Sequence, residues 1–506
     1  MLRSTVAAAG REVEERASRS AARIARPLGT MLLASAILAV AGCASAAPER
    51  RDTGVALFQW TWDAIAAECA VLGEAGVAWV LTSPPQEHVD GATAGLEGRD
   101  GSEWWWSYQP VSYSVESRLG TSDEFAAMTA ACGEAGVDVY ADAVINHMAG
   151  VESGTGWAGT AFTHYDYPGL YTADDFHRCN RTPDDDIDGY TEPFVIQHCE
   201  LENLADLATE SEQVRGQIGA YLQSLLDLGV TGFRIDAAKH IDPDDVAAIV
   251  AALPEGTPVI SEVIRGAGEP VVPEQYTGFS TVWEFGWADR VGSFVSDGQA
   301  RGLADLNPDA YGFLDEGART FVANHDTERN DTTLTYRNGR EFSAATAVML
   351  ASDYGPPTLY SGYAFSDRDA GPVLEADGAV ADASCTGEEH PDRAVDGWED
   401  GAWVCQHRWP GTLELVSWRT RVVDAPVTET SSIEQVYVSL RGETAAFAVL
   451  LDDEPATVEV PVALPDGTYC DVVEPDCASV IEVTGGTATI ALEPWQAVAL
   501  DRFTRP

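Results

Sequence analysis

From residue 53 the chain alternates short apolar runs with stretches that are apolar at helical spacing. "GVALFQW" (54–60), "VAWVLTSPP" (77–85) and "VDVYADAVINH" (137–147) read as strands. "WDAIAAECAVLGEAG" and "SDEFAAMTAACGEAG" between them read as helices, the second with Ser122 as its N-cap. The rhythm stops over 148–206, a stretch rich in Gly, Asp, Thr and Tyr that is too long for a simple connection. It then resumes. "SEQVRGQIGAYLQSLLDLG" is an amphipathic helix, "VTGFRIDA" a strand, "DPDDVAAIVAAL" a helix capped by Asp242 or Asp244, and "TPVISEV" a strand. "STVWEFG", "ARTFVANHD" and "PPTLYSGY" bring the strands to eight. Eight strands with helices between most of them predict a parallel (β/α)8 TIM barrel with a loop-rich insertion after strand 3. An open doubly wound sheet is the alternative, but no G-x-G-x-x-G follows the first strand. From 412 the runs become short and closely spaced, beginning with "LELVSWRTRVV" and continuing through "VYVSLRG", "AAFAVLL", "ATVEVPV" and "ATIALE". They predict an antiparallel C-terminal β-sandwich domain. The expected units are 53–147 and 207–411 for the barrel, 148–206 for the insertion and 412–506 for the sandwich.

Residues 1–46 stand outside this pattern. Arg23 and Arg26 precede "PLGTMLLASAILAVAGCASAA", an apolar segment ending in small residues, which reads as an export signal. Two cuts fit it. One falls after Ala46, and the other leaves Cys43 of "VAGC" as a lipidated N-terminus. The protein is therefore expected outside the cell or tethered to the outer face of its membrane. No other run is long enough to span a bilayer. Eight cysteines remain after Cys43, an even number that suggests four disulfides in an exported protein. The formal net charge of −51 repels nucleic acid and anionic membranes, so a neutral or cationic partner is easier to accept.

In a barrel, chemistry sits at the C-terminal ends of the strands. Those ends carry Asp142, Asn146 and His147, then Arg234 and Asp236, then Glu262, then Asn324, His325 and Asp326. A single Asp after a strand is usually a helix cap, but four such ends together are not explained by capping. Paired carboxylates serve glycoside cleavage as nucleophile and acid/base. Arg234 lies two residues before Asp236, so both point to one face, and a fixed cation there would keep Asp236 ionised. Glu262 follows the apolar "PVIS", which favours its protonated form. Lys239, in "GFRIDAAKH", is the only lysine in the chain and so a candidate for a specific task.

The segments "DAVINHM", "GFRIDAAKH", "SEVI" and "FVANHD" resemble the signature regions of the alpha-amylase family of glycoside hydrolases. The likeness runs from about residue 54 to the C-terminus and is nearest to the animal and actinobacterial enzymes. It implies an endo-acting, retaining hydrolase of alpha-1,4-glucans that works as a monomer on starch-like polysaccharide or malto-oligosaccharides. An oligosaccharide-forming transglycosylase on the same scaffold and a glucan-binding surface protein are the alternatives. The resemblance makes Asp236 the nucleophile, Glu262 the acid/base and Asp326 the third carboxylate. It places Trp105, Tyr108, Gln109, His147, Arg234, Lys239, His240 and His325 around the sugars, with Lys239 donating to glucose hydroxyls of the leaving group. It implies a structural calcium held by Asn146, Asp206 and the carbonyls of Gln197 and His240, all oxygen donors. The implied disulfides are Cys69–Cys132, Cys179–Cys199, Cys385–Cys405 and Cys470–Cys477. The family's chloride-activated members use two positions matched by Arg234 and Asn324, and a basic third that falls near Thr358, which has no charge. Chloride dependence is therefore not expected.

Overall fold

The computed structural model describes residues 50–386, 390–392 and 397–506; the targeting segment, with Cys43, lies outside them. Eight parallel strands close into a barrel. They are β1 Gly54–Leu57, β2 Trp79–Thr82, β3 Asp138–Ala143, β4 Gly232–Ile235, β5 Val259–Ser261, β6 Thr281–Trp283, β7 Ala318–Phe321 and β8 Pro357–Ser361. Each pairs with its neighbours in sequence order, and β1 closes the ring against β8. Most barrel strands are buried along their length, which is why they read as continuous apolar runs.

Large rings fill the barrel interior. Trp79, Tyr140, Ile260, Trp283 and Phe321 pack together there, with Trp79 and Tyr140 stacked at 4.6 Å. Glycine makes room for them. A Cβ on Gly54 would stand 2.1 Å from the Trp79 indole, and one on Gly232 would stand 2.7 Å from the Tyr140 ring.

Helices α1 (Trp62–Ala75), α2 (Ser122–Glu134), α3 (Glu212–Asp227) and α4 (Pro243–Ala251) fall where the apolar periodicity places them. The cap of α2 is Thr121 rather than Ser122. Thr121 Oγ1 accepts from Glu124 N, and the Glu124 carboxylate returns a bond to Thr121 N, a capping box. Asp242, not Asp244, caps α4. All four disulfides implied by the resemblance are present, and Cys69–Cys132 staples α1 to α2.

One segment differs outright. "LELVSWRTRVV", expected as the first strand of the C-terminal domain, is part of helix α7 (Thr412–Val422), after α5 (Phe285–Ser296) and α6 (Arg340–Ala351). Helix α7 packs on α1 and α6 in the outer layer of the barrel. Its Arg419 pairs with Asp52 at 2.7 Å and donates to Leu350 O. The first strand beyond it is Glu429–Ile433, in a sheet with Val436–Arg441, Ala445–Leu450 and Ala497–Asp501. A second four-stranded antiparallel sheet faces it, and Val438, Leu450, Val458, Tyr469, Ile490 and Leu500 form their shared core.

The insertion after β3 holds a hairpin (Ser153–Thr155 with Ala161–Thr163) and a short helix, Pro193–His198. Glu87, wholly buried beyond β2, ties the hairpin down by accepting from Thr160 Oγ1 (2.7 Å) and Ala158 N (3.0 Å). No described helix is long and apolar enough to cross a membrane.

Candidate active site

The parallel ladder runs on past the strand ends and carries the carboxylates with it. Asp236 N donates to Ala143 O and Glu262 N to Ile235 O, each at 3.1 Å, and Lys239 N donates to Glu262 O at 3.1 Å. Between them Ala237 adopts a left-handed turn (φ 48°) and gives its N–H to Glu262 Oε2 at 2.9 Å. A side-chain-bearing residue there is strained, and the hydrogen bond to Glu262 helps to hold it. Asp326 is fixed differently. It opens the short helix His325–Asn330, and Asn324 Oδ1 caps that helix by accepting from Asp326 N (3.0 Å) and Thr327 N (2.8 Å).

Arg234 is the hub. It is fully buried in β4, in register with Asp142 of β3. Its Nη1 donates to Asp142 Oδ1 (2.7 Å) and Oδ2 (2.9 Å) and to Asp236 Oδ1 (2.6 Å), and its Nη2 lies 2.6 Å from Glu262 Oε1. Burial raises the pKa of Asp236, Glu262 and Asp326, and pushes Asp142 up to about 7, while Arg234 pulls all four down. One cation among four carboxylates does not cancel their burial. At Asp236 the cation pulls towards the ionised form, through charge and hydrogen bond, against the upward shift that burial sets.

Aromatic rings wall the site. His325 is sandwiched between Phe58 (4.7 Å) and Tyr108 (5.1 Å), and burial holds its pKa well below the usual histidine range. Tyr108 donates its hydroxyl to Asp142 Oδ2 at 3.0 Å. Trp104 meets His325 edge-on at 5.4 Å, while Trp105 lies beside Trp106 and under Arg99. Gln109 is spent on the insertion, accepting from Gly150 N.

The remaining polar groups have assigned protons. His147 Nε2 sits 3.0 Å from Tyr108 O; a carbonyl only accepts, so Nε2 carries the hydrogen. The Nδ1 of His147 then accepts from Asn146 Nδ2, and burial pushes its pKa down to about 4. By the same reasoning His240 donates from Nδ1 to Ile196 O, and its Nε2 is left as an acceptor. Lys239 Nζ donates to Ile264 O (2.8 Å) and pairs with Glu269, over the Tyr190 ring. Two of its three donors are therefore engaged by the loop beyond β5.

A cleft of about 1160 Å³ opens over these groups. Trp105, Tyr108, Gln109, His147, Asp236, Lys239, His240, Glu262, His325 and Asp326 all border it, and Arg234 lies beneath. Sequence reasoning missed Trp104, Phe58 and Glu269, and gave Asp142 no task. Trp104 belongs to the same "WWW" run as Trp105, and only its position across from His325 separates the two. Thr358, the third place of the chloride pattern, is buried and accepts from Trp283 Nε1 at 3.3 Å.

Of the four residues implied as calcium ligands, Asn146 and Asp206 form one adjacent pair where barrel and insertion join, and Gln197 and His240 form another. Leu207 N donates to Asn146 O (3.0 Å) and Met148 N to Ala205 O (2.9 Å), which sets Asn146 beside Asp206. The bond from His240 to Ile196 O sets Gln197 near His240. Asp206 is buried, which pushes it up to about 7, and one of its oxygens is taken by His177 Nδ1 at 2.7 Å. The donors these residues offer are all oxygens, and a buried carboxylate is among them, which is the donor chemistry that suits a hard divalent cation. Among the described residues the cluster Glu68, Cys385 and His407 is compact enough to suggest another metal. However, Cys385 is in a disulfide and Glu68 is bonded to His407 and Arg408.

A closed parallel barrel with three carboxylates around one buried guanidinium, on the floor of a large cleft, is a glycoside hydrolase arrangement. The family model for the alpha-amylase catalytic domain matches residues 107–271. The chain is 38% identical to an alpha-amylase of Streptomyces violaceus over 476 residues, covering 93% of this chain and 78% of that one. It is 36% identical to an alpha-amylase of Thermomonospora curvata over 502 residues, covering 95% and 78%. Its fold superposes on alpha-amylase I from Eisenia fetida with a TM-score of 0.81 at 30% identity, covering 89% of this chain and 97% of that one. A glutamate-to-glutamine variant of that enzyme, in complex with maltohexaose, superposes with the same score. The chain belongs to the alpha-amylase family.

Proposed function

We propose that the protein hydrolyses internal alpha-1,4-glucosidic bonds of starch-like glucans, with retention at the anomeric carbon. One observation carries this reading: a single guanidinium, Arg234, binds Asp142 and Asp236 and lies against Glu262 at the base of the cleft. Burial favours the protonated form of Glu262, which gives its proton to the glycosidic oxygen. Asp236, ionised against Arg234, attacks the anomeric carbon and forms a covalent glycosyl-enzyme as the leaving chain departs. Glu262, now a carboxylate, takes a proton from water, and the hydroxide displaces Asp236 with a second inversion. Asp326 holds sugar hydroxyls, and the rings of Tyr108, His325 and Trp104 flank the cleaved unit. His240 offers Nε2 as an acceptor on the leaving-group side, and Lys239 its remaining donor. Both ring nitrogens of His147 are engaged by protein, so it fixes the Tyr108 main chain.

NMR of the first products from maltohexaose should show alpha anomers. Early beta anomers would mean single inversion and a different division of labour between the carboxylates.

Calcium is proposed as a structural ion held by Asn146, Asp206 and the carbonyls of Gln197 and His240. Bound there it adds positive charge beside a buried carboxylate and ties insertion to barrel. A ligand bound only by the folded state, at 100 times its Kd, adds about 2.7 kcal/mol of stability. A strong chelator should therefore lower the melting midpoint, and Asn146→Ala should remove most of that response. An unchanged midpoint in protein shown metal-free by elemental analysis sinks the assignment.

The four disulfides fit an oxidising compartment. We place the enzyme outside the cell, held by lipid at Cys43 or released by a cut after Ala46.

A further inference from the structure

Beside the cleft lies a second cavity of about 470 Å³ that the proposed reaction does not use. Arg368 borders both cavities, and its side chain is 67% exposed, so the two open on the same face. None of Asp236, Glu262 and Asp326 borders the second one.

Its walls are aromatic and of mixed polarity. Tyr336 meets Phe365 edge-on at 6.1 Å and Trp398 at 6.2 Å. Arg337 lies over Phe365 at 4.2 Å and donates to its carbonyl. Asp331 and Asp400 supply carboxylates, and Asp400 accepts from Ser366 Oγ at 2.5 Å. Arg329, Arg337 and Arg368 line the cavity with those two carboxylates, so charged donors and charged acceptors stand side by side in it. A neutral polyol needs both donors and acceptors for its hydroxyls and an aromatic face for its ring; the charged groups supply the first two, and the half-buried Trp398, rather than the buried Tyr336 and Phe365, supplies the third.

We propose that this cavity is an accessory sugar site that takes an alpha-1,6-linked branch of the glucan held in the cleft. The proposal rests on the glucan reading above and adds to it a preference among substrates. Arg368, on the shared rim, stands where main chain and branch part.

The test compares linear maltohexaose with a malto-oligosaccharide of equal main-chain length bearing one alpha-1,6-glucosyl branch. Trp398→Ala should raise KM for the branched substrate about tenfold, the loss of one stacking contact. Asp400→Asn, isosteric and exposed, should raise it about threefold by removing a charged acceptor, and guards against a Trp398 variant that folds poorly. Neither should change KM or kcat on the linear substrate. Equal changes on both substrates, no change on either, or failure of the wild type to cleave the branched one would each overturn the proposal. Inhibition by inorganic phosphate that Arg337→Gln abolishes would assign the cavity to anions and overturn it too. Failure of the wild type on linear maltohexaose would instead sink the amylase reading itself.

Discussion

Asp236→Asn is expected to lower kcat on starch by three decades or more, about 4 kcal/mol of transition-state stabilisation. The amide can still accept from Arg234, which holds Asp236 at 2.6 Å, so the geometry survives. What is lost is the charge that attacks. Asp142, Asp236 and Glu262 crowd a single guanidinium, and with Asp326 they raise one another's pKa and so oppose one another's ionisation. Removing one charge relieves that repulsion, so the variant should melt no lower than the parent. Reducing-sugar release and thermal melting on the same preparation separate the two effects. Retention of more than about a tenth of the activity would remove Asp236 from the nucleophile's place, because removing a nucleophile ordinarily costs several decades. A lower midpoint would mean that the loss reflects folding.

Arg234→Gln should damage both stability and rate. Arg234 is fully buried and engages three carboxylates at 2.6–2.9 Å. Removing one partner of a buried ion pair typically costs about 3–5 kcal/mol, because the other is left uncompensated. The stranded carboxylates then ionise less readily in the folded state than in the unfolded chain. A folded pKa above the unfolded one means stability falls as pH rises, so the deficit should be largest at high pH and shrink on acidification. The same shift should move the acid limb of the pH–rate profile upward, since the nucleophile needs a higher pH to ionise. Denaturant melts and kcat/KM across pH give both readouts. A variant with the parent's stability and acid limb would show that Arg234 is not the shared counter-ion.

The helix at 412–422 shows where pattern reading stops. Its buried positions are Thr412, Leu415, Val416, Trp418, Arg419 and Val422, a helical stripe. In the bare sequence Val416, Trp418, Thr420 and Val422 also alternate with polar residues, and 11 residues leave the two periods close. The outer layer of the barrel decided between them, because α1 and α6 offer a groove that a helix fills. Capping was a nearer miss. Thr121 and Ser122 are both good caps, and the choice fell to Glu124, whose carboxylate reaches back to Thr121.

The sequence by itself determined the eight strands, the insertion and the positions of Asp236, Glu262 and Asp326 at strand ends. Those follow from local period and from residue type at a boundary, which need no partner to be read. Only the tertiary structure decided how the carboxylates share a cation. Asp142 lies 92 residues from Arg234 and meets it through strand register alone. It also decided that Trp104 faces His325 while Trp105 lies against Trp106, that two of the three Lys239 donors are engaged, and that burial outweighs Arg234 at Asp236. Each depends on what surrounds a group in space, and desolvation, ring stacking and shared counter-charge are set by neighbours that the order of residues along a chain does not name.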